Sequence, residues 1–75
     1  MSIARVIMEN LPQNQTPRHL DVTASNVFHD LVTVGKVTTM REVYDVFKLL
    51  NKEQDLVMFS DGTVVATRKG LSGWT

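Results

Sequence analysis

Two histidines, His19 and His29, are the side chains best suited to metal chemistry, each with an aspartate close to it in sequence, at Asp21 and Asp30. A structural zinc site needs four nitrogen, sulfur or oxygen ligands in a tetrahedral set. The histidines lie ten residues apart without an H-x-x-x-H pair, and the chain has no cysteine. We therefore predict no metal site and interpret both histidines as solvated or hydrogen-bonded.

Neither nucleophilic catalysis nor cofactor binding is indicated. None of the serines lies in a G-x-S-x-G elbow. Residues 35–39, Gly-Lys-Val-Thr-Thr, resemble the end of a phosphate-binding loop, but Asp30 stands where the first glycine belongs and Val37 where the magnesium-binding hydroxyl belongs. We predict that the chain is not an enzyme and takes no cofactor.

Cationic side chains remain as candidates for binding nucleic-acid phosphate. Against this role, Glu42 and Asp45 lie among them on one predicted helix, and alternating signs three and four residues apart are typical of a solvated face with local ion pairs. The eight basic residues are balanced by eight acidic ones, whereas phosphate binding favours a basic excess. The residues of this alternative are Arg41, Tyr44, Lys48, Lys52, Arg68 and Lys69.

Apolar side chains indicate a protein partner instead. A hairpin predicted near the end of the chain has Val57 and Phe59 on one face and Leu56 and Met58 on the other. Two helices cover only one face of a sheet, so the other face requires a second copy, a partner or the tail. The residues predicted to bind a partner are Val57, Met58, Leu71 and Trp74.

The predicted fold that positions these side chains is a small α+β domain. One antiparallel sheet of three or four strands carries two helices on one face, in the order β(β)ααββ. Residues 3–8 are rich in β-branched side chains and predict a strand. Residues 9–18 contain two prolines and predict a polar loop. Residues 19–22 predict a second, short strand.

Two helices follow in the predicted order. The first covers residues 24–34, capped by Thr23 or Ser25 and ended by Gly35. The second begins at a capping box formed by Thr39 and Glu42. Asn51 is its predicted left-handed end. The apolar face of the second helix comprises Met40, Val43, Val46, Phe47, Leu49 and Leu50.

The predicted hairpin joins residues 55–59 to residues 63–68 through Asp61 and Gly62. A two-residue turn places Asp55 opposite Arg68 as an ion pair, and a three-residue turn that includes Ser60 shifts the register by one. Residues 70–75 form a glycine-containing tail, which either covers the apolar face or offers an anchor to a partner.

The whole chain of 75 residues is predicted to form one domain. No apolar run approaches the roughly 20 residues that span a bilayer, and no secretory signal is visible, so we expect a cytoplasmic protein without membrane contact. Our leading hypothesis is a non-enzymatic regulator or adaptor that binds a protein, as a homodimer, in the manner of phage and plasmid accessory proteins. The alternative is a DNA-binding transcriptional regulator with a winged-helix-like core.

Overall fold

A computed structural model describes residues 2–74 and leaves the side chain of Trp74 outside that description. Helices and a small antiparallel sheet form one mixed α+β structure, as the sequence predicts. The elements along these residues are α1 (Ile3–Asn10), β1 (Arg18–His19), α2 (Leu20–Thr33), α3 (Met40–Lys52), β2 (Leu56–Met58), β3 (Thr63–Ala66) and α4 (Arg68–Trp74).

The first element is a helix, so the predicted strand at residues 3–8 is wrong. Ser2 caps α1, because its hydroxyl oxygen accepts a hydrogen bond from the Arg5 amide at 3.1 Å. Val6, Ile7 and Met8 are buried along one side of α1. A short apolar run fits a helix and a strand equally well, and here the cap and the packing favour the helix. The predicted loop therefore begins only at Leu11.

The second predicted strand is displaced, and the helix after it starts earlier than expected. β1 covers Arg18–His19, and α2 begins at Leu20. Thr23 is not a cap but a buried helical residue, whose hydroxyl donates to the His19 carbonyl at 2.8 Å. Ser25 also lies inside α2. Gly35 has a φ of +82° directly after the helix, which confirms its predicted left-handed role.

The start of α3 is confirmed and its end is not. The Thr39 hydroxyl oxygen accepts from the Glu42 amide at 3.1 Å, as a capping box requires. The reciprocal half of the predicted box is not formed, because the Glu42 carboxylate accepts from the Thr38 hydroxyl at 2.9 Å and not from the Thr39 amide. The left-handed end predicted at Asn51 is wrong, because Asn51 remains helical and Gln54, with a φ of +65°, takes the left-handed conformation instead.

The sheet has the strand order β1-β3-β2, with each neighbouring pair antiparallel. Met58 lies opposite Val64, which is the register of the three-residue turn. Gly62 closes this turn with a φ of +87°. The predicted ion pair between Asp55 and Arg68 is therefore replaced, and the Asp55 carboxylate lies 4.0 Å from the ammonium nitrogen of Lys69.

Three helices and the inner face of the sheet enclose one core, where we predicted only two helices over the sheet. Leu31, Val43 and Phe47 are fully buried in it, and Phe28 is half-buried beside them. The tail is also part of the fold, since it forms α4 against α1 and buries Gly70. The buried apolar side chains are Val6, Ile7, Met8, Leu11, Ala24, Val27, Leu31, Val43, Phe47, Leu50, Leu56, Val64 and Ala66.

Candidate nucleic-acid interface

The outward face of α3 carries a row of cationic side chains. Burial of Val43 and Phe47 in the core fixes the rotation of this helix. Arg41, Lys48 and Lys52 consequently face solvent. At 100° per residue they fall within an arc of about 40°, and they extend along about 16 Å of the helix axis. We refer to these three residues as the basic row.

The basic row is free of local ion pairs within the part of the chain that the structure describes. None of its three members has a carboxylate oxygen within 4.0 Å. The Glu42 carboxylate instead accepts from the Thr38 hydroxyl. The sequence predicted that charges on α3 neutralise one another in pairs, and that prediction is wrong for the basic row. Its cations are consequently available to an anionic partner.

Two side chains on the same side of α3 are unsuited to phosphate. Asp45 is exposed between the cations, four residues after Arg41. Leu49 is 54% exposed, although we placed it on the apolar face of this helix. On a helical wheel Leu49 lies about 120° from the centre of the buried face, so this exposure was visible in the spacing.

Tyr44 forms part of the contact between α3 and α2. Its hydroxyl donates to an Asp21 carboxylate oxygen at 2.6 Å. This hydrogen bond, together with partial burial and the negative charge of Asp21, raises the pKa of Tyr44 above its usual value. The phenol thus holds the start of α2 beside the first half of α3, and it adds no free donor to the basic row.

The hairpin of β2 and β3 is fixed to α3 on the Tyr44 side of the helix. The Asn51 side-chain oxygen accepts from the Met58 amide at 3.2 Å. At the tip, the Asp61 carboxylate accepts from the Thr63 hydroxyl at 2.6 Å and from the Thr63 amide at 3.0 Å. These hydrogen bonds lower the pKa of Asp61. The bond to Asn51 holds the hairpin against the last turn of α3.

Arg68 and Lys69, the two cations of the nucleic-acid alternative that lie outside α3, are at the base of the hairpin, at the start of α4. The Lys69 ammonium group donates to the Glu53 carbonyl oxygen, so it ties α4 to the loop after α3. Arg68 is exposed. Its neighbour Thr67 donates to the Gln54 carbonyl oxygen at 2.5 Å, which places Arg68 at the same end of the molecule as Lys52.

The residues predicted to bind a protein partner do not lie on one surface. Val57 points outward from the sheet and is 36% exposed, near Phe59 at 46%. Met58 and Leu71 are half-buried and pack against the core. The Trp74 side chain, for which we expected either a lid or an anchor, lies outside the described residues.

No protein-family model, curated protein or solved structure matches this chain. No helix within residues 2–74 has the length and apolar character that crossing a membrane requires. Over the same residues, no three histidine or acidic side chains form a group that could hold a metal ion.

Proposed function

We propose that the protein is a DNA-binding regulator that places α3 in the major groove of a duplex. The observation that carries the proposal is the combination of the basic row with the order of elements α1-β1-α2-α3-β2-β3, in which β1 pairs with β3. Winged-helix domains have this order. Winged-helix domains commonly have three helices, and α1, where the sequence predicted a strand, is the third.

The dimensions of α3 suit this role. The major groove is about 12 Å wide and admits one α-helix. The basic row extends along about 16 Å, which corresponds to roughly five base pairs at 3.4 Å each. The hairpin flanks α3 on one side, as the wing does in winged-helix domains, and its apolar Phe59 is exposed near the tip. The exposed Arg68 extends the cationic surface beyond Lys52.

A net charge of zero does not oppose this proposal, because the charges are unevenly placed. Phosphate attraction is screened over about 10 Å at 0.1 M salt, so acids on distant elements matter little. Glu9, for example, lies on α1 and is paired with Arg5 at 3.2 Å. On α3 itself the three cations of the basic row outnumber the two acids, Glu42 and Asp45. The basic row therefore acts as a local site, and we expect its affinity to fall as salt rises.

The first test measures binding of the full chain to a 20-base-pair duplex by fluorescence anisotropy between 50 and 200 mM salt. Each phosphate that the protein neutralises contributes a slope of about −0.9 in a plot of log affinity against log salt, so the three cations of the basic row predict about −2.7. Lys48→Ala should reduce this slope by about one unit and weaken binding to all sequences alike.

Arg5→Ala is the matched control, because it removes one positive charge from α1 instead of α3. Its slope should equal that of the wild-type protein. Absence of duplex binding at 50 mM salt would overturn the proposal, and so would equal slopes for Lys48→Ala and the wild type.

A second candidate function, binding to a protein partner, is favoured by a different observation. The outward face of the sheet exposes Val57 and Phe59 next to the half-buried Val65. α4 does not shield this face through Leu71, which packs on the core. A second copy of the chain would cover the apolar side chains, and burial of each contributes about 1.5–3 kcal/mol.

The homodimer makes a measurable prediction. Sedimentation equilibrium at micromolar concentration should give about 17 kDa, twice the chain mass of 8.5 kDa. Val57→Lys should yield a folded monomer. In the monomer the lysine stays in solvent, whereas dimerisation would bury its charge without an ion pair. If the wild-type protein sediments as a monomer at high concentration, the homodimer hypothesis is contradicted. DNA binding would then be a function of the single chain.

A further inference from the structure

We infer that α3 reads base edges as well as phosphates, and that Asp45 and Leu49 are the specificity-determining residues. This inference rests on the proposed function. It assigns to Asp45 a preference for cytosine and to Leu49 a preference for thymine. The expected target is a duplex in which these two bases lie about two base pairs apart.

The spacing along α3 places the two side chains together on the groove side. Arg41, Asp45 and Leu49 follow one another at intervals of four residues, and all three are exposed. Each interval advances about 6 Å along the helix and about 40° around it. Two base steps span about 6.8 Å. Successive members of this series can therefore face bases about two steps apart.

The exposed carboxylate of Asp45 opposes phosphate binding, but it suits the recognition of a base edge. An exposed carboxylate among cations repels phosphate, and among the described residues Asp45 makes no ion pair that would neutralise it. In the major groove, cytosine presents an amino group that donates to a carboxylate. Adenine also presents a donor, but its neighbouring acceptor N7 disfavours a second carboxylate oxygen. A carboxylate at this position thus favours cytosine.

Leu49 is similarly unexplained by packing within the chain. It is 54% exposed on the outward side of a helix whose other exposed residues are polar or charged. Thymine is the base that carries a methyl group in the major groove, and apolar side chains contact that methyl. An exposed leucine one turn after Asp45 therefore fits a thymine.

The test selects bound duplexes from a random library with the full-length wild-type protein and then measures affinities for the selected site and for single-base changes in it. Replacing the cytosine should weaken wild-type binding by about 5- to 150-fold, which is the usual cost of one mismatched base pair in a specific site. Asp45→Ala should bind the cytosine site and its variants about equally, and its affinity for unrelated duplex should rise because a negative charge is lost. Asp45→Asn should shift the preference from cytosine to adenine.

Glu42→Ala is the matched control on the same helix. It also removes one acidic group, but the Glu42 carboxylate is held by the Thr38 hydroxyl. Its affinity for unrelated duplex should rise while the cytosine preference remains. Circular dichroism should show all variants folded, since the replaced side chains are exposed.

The possible failures are distinguishable. A wild-type protein that binds duplex without base preference would overturn this inference and leave the proposed function standing, as would an Asp45→Ala protein that keeps the cytosine preference. A wild-type protein that binds no duplex at 50 mM salt would overturn both.

Discussion

Gly70→Ala is expected to destabilise the protein severely, although it adds only one methyl group. A Cβ atom at this position would lie 1.9 Å from the Asp55 carbonyl oxygen, 2.7 Å from its carbon and 2.8 Å from the terminal methyl of Met8. The methionine end can move, but the carbonyl belongs to the backbone leading into β2. Accommodation of the methyl group therefore requires α4 to move away from the sheet.

The size of this effect follows from the small size of the domain. Overpacking a well-packed site costs about 1–3 kcal/mol, and a clash with backbone belongs at the upper end. In a domain of this length each kcal/mol lowers the melting temperature by about 4–8 °C. We expect thermal unfolding of Gly70→Ala, followed by circular dichroism, to occur about 10 °C or more below that of the wild type.

Gly73→Ala provides the matched control in the same helix. Nothing lies within 4 Å of a Cβ added there. Alanine is favoured over glycine in a helix by about 0.5–1 kcal/mol, so this variant should melt at or slightly above the wild-type temperature. Equal melting temperatures for the two variants would show that α4 does not pack against residue 55 as described.

Elements whose signals are local were predicted correctly from the sequence. The cap at Thr39 requires only a hydroxyl and an amide three residues apart, and the end of α2 requires only a glycine at residue 35. The hairpin turn was predicted as one of two registers. A two-residue type I′ turn needs a positive φ at both Asp61 and Gly62, but Gly62 alone of the two has one. The turn therefore takes three residues, which composition alone did not fix.

Elements whose identity depends on distant residues were not predictable in this way. Residues 3–8 form a helix because Val6, Ile7 and Met8 pack against the rest of the core, and α2 is the main neighbour of α1. The sequence of these six residues alone does not indicate which distant residues they will pack against. The same reasoning applies to the tail, whose helix depends on contacts with α1 and with Asp55.

The candidate site shows the same division. Arg41, Lys48 and Lys52 were identified from spacing alone, because one helix places them on one face. The roles of Tyr44 and Lys69 were not, since their partners Asp21 and Glu53 lie 23 and 16 residues away in sequence. Those two residues position α2 and α4, and their side-chain donors are already used within the chain.

The largest effect on function is expected from reversing one charge on the basic row together with the charge of Arg68. Lys48→Glu together with Arg68→Glu should abolish duplex binding at low salt, because two attractive contacts become repulsive ones. Both side chains are exposed, so the fold should be retained. Each lost phosphate contact reduces the salt slope by about one unit, which at 50 mM salt is roughly tenfold in affinity, and repulsion adds to that loss.

A charge-balanced variant separates the position of the charges from their total. Lys48→Glu with Glu9→Lys keeps the net charge at zero, because a cation is restored on α1 where Arg5 now pairs with Glu9. If total charge governs binding, this variant should bind duplex like the wild type. If the basic row governs binding, anisotropy at 50 mM salt should show a loss of at least about tenfold for this variant, as for Lys48→Glu alone. Wild-type affinity in the charge-balanced variant would therefore remove α3 as the DNA-binding surface even if the protein binds DNA.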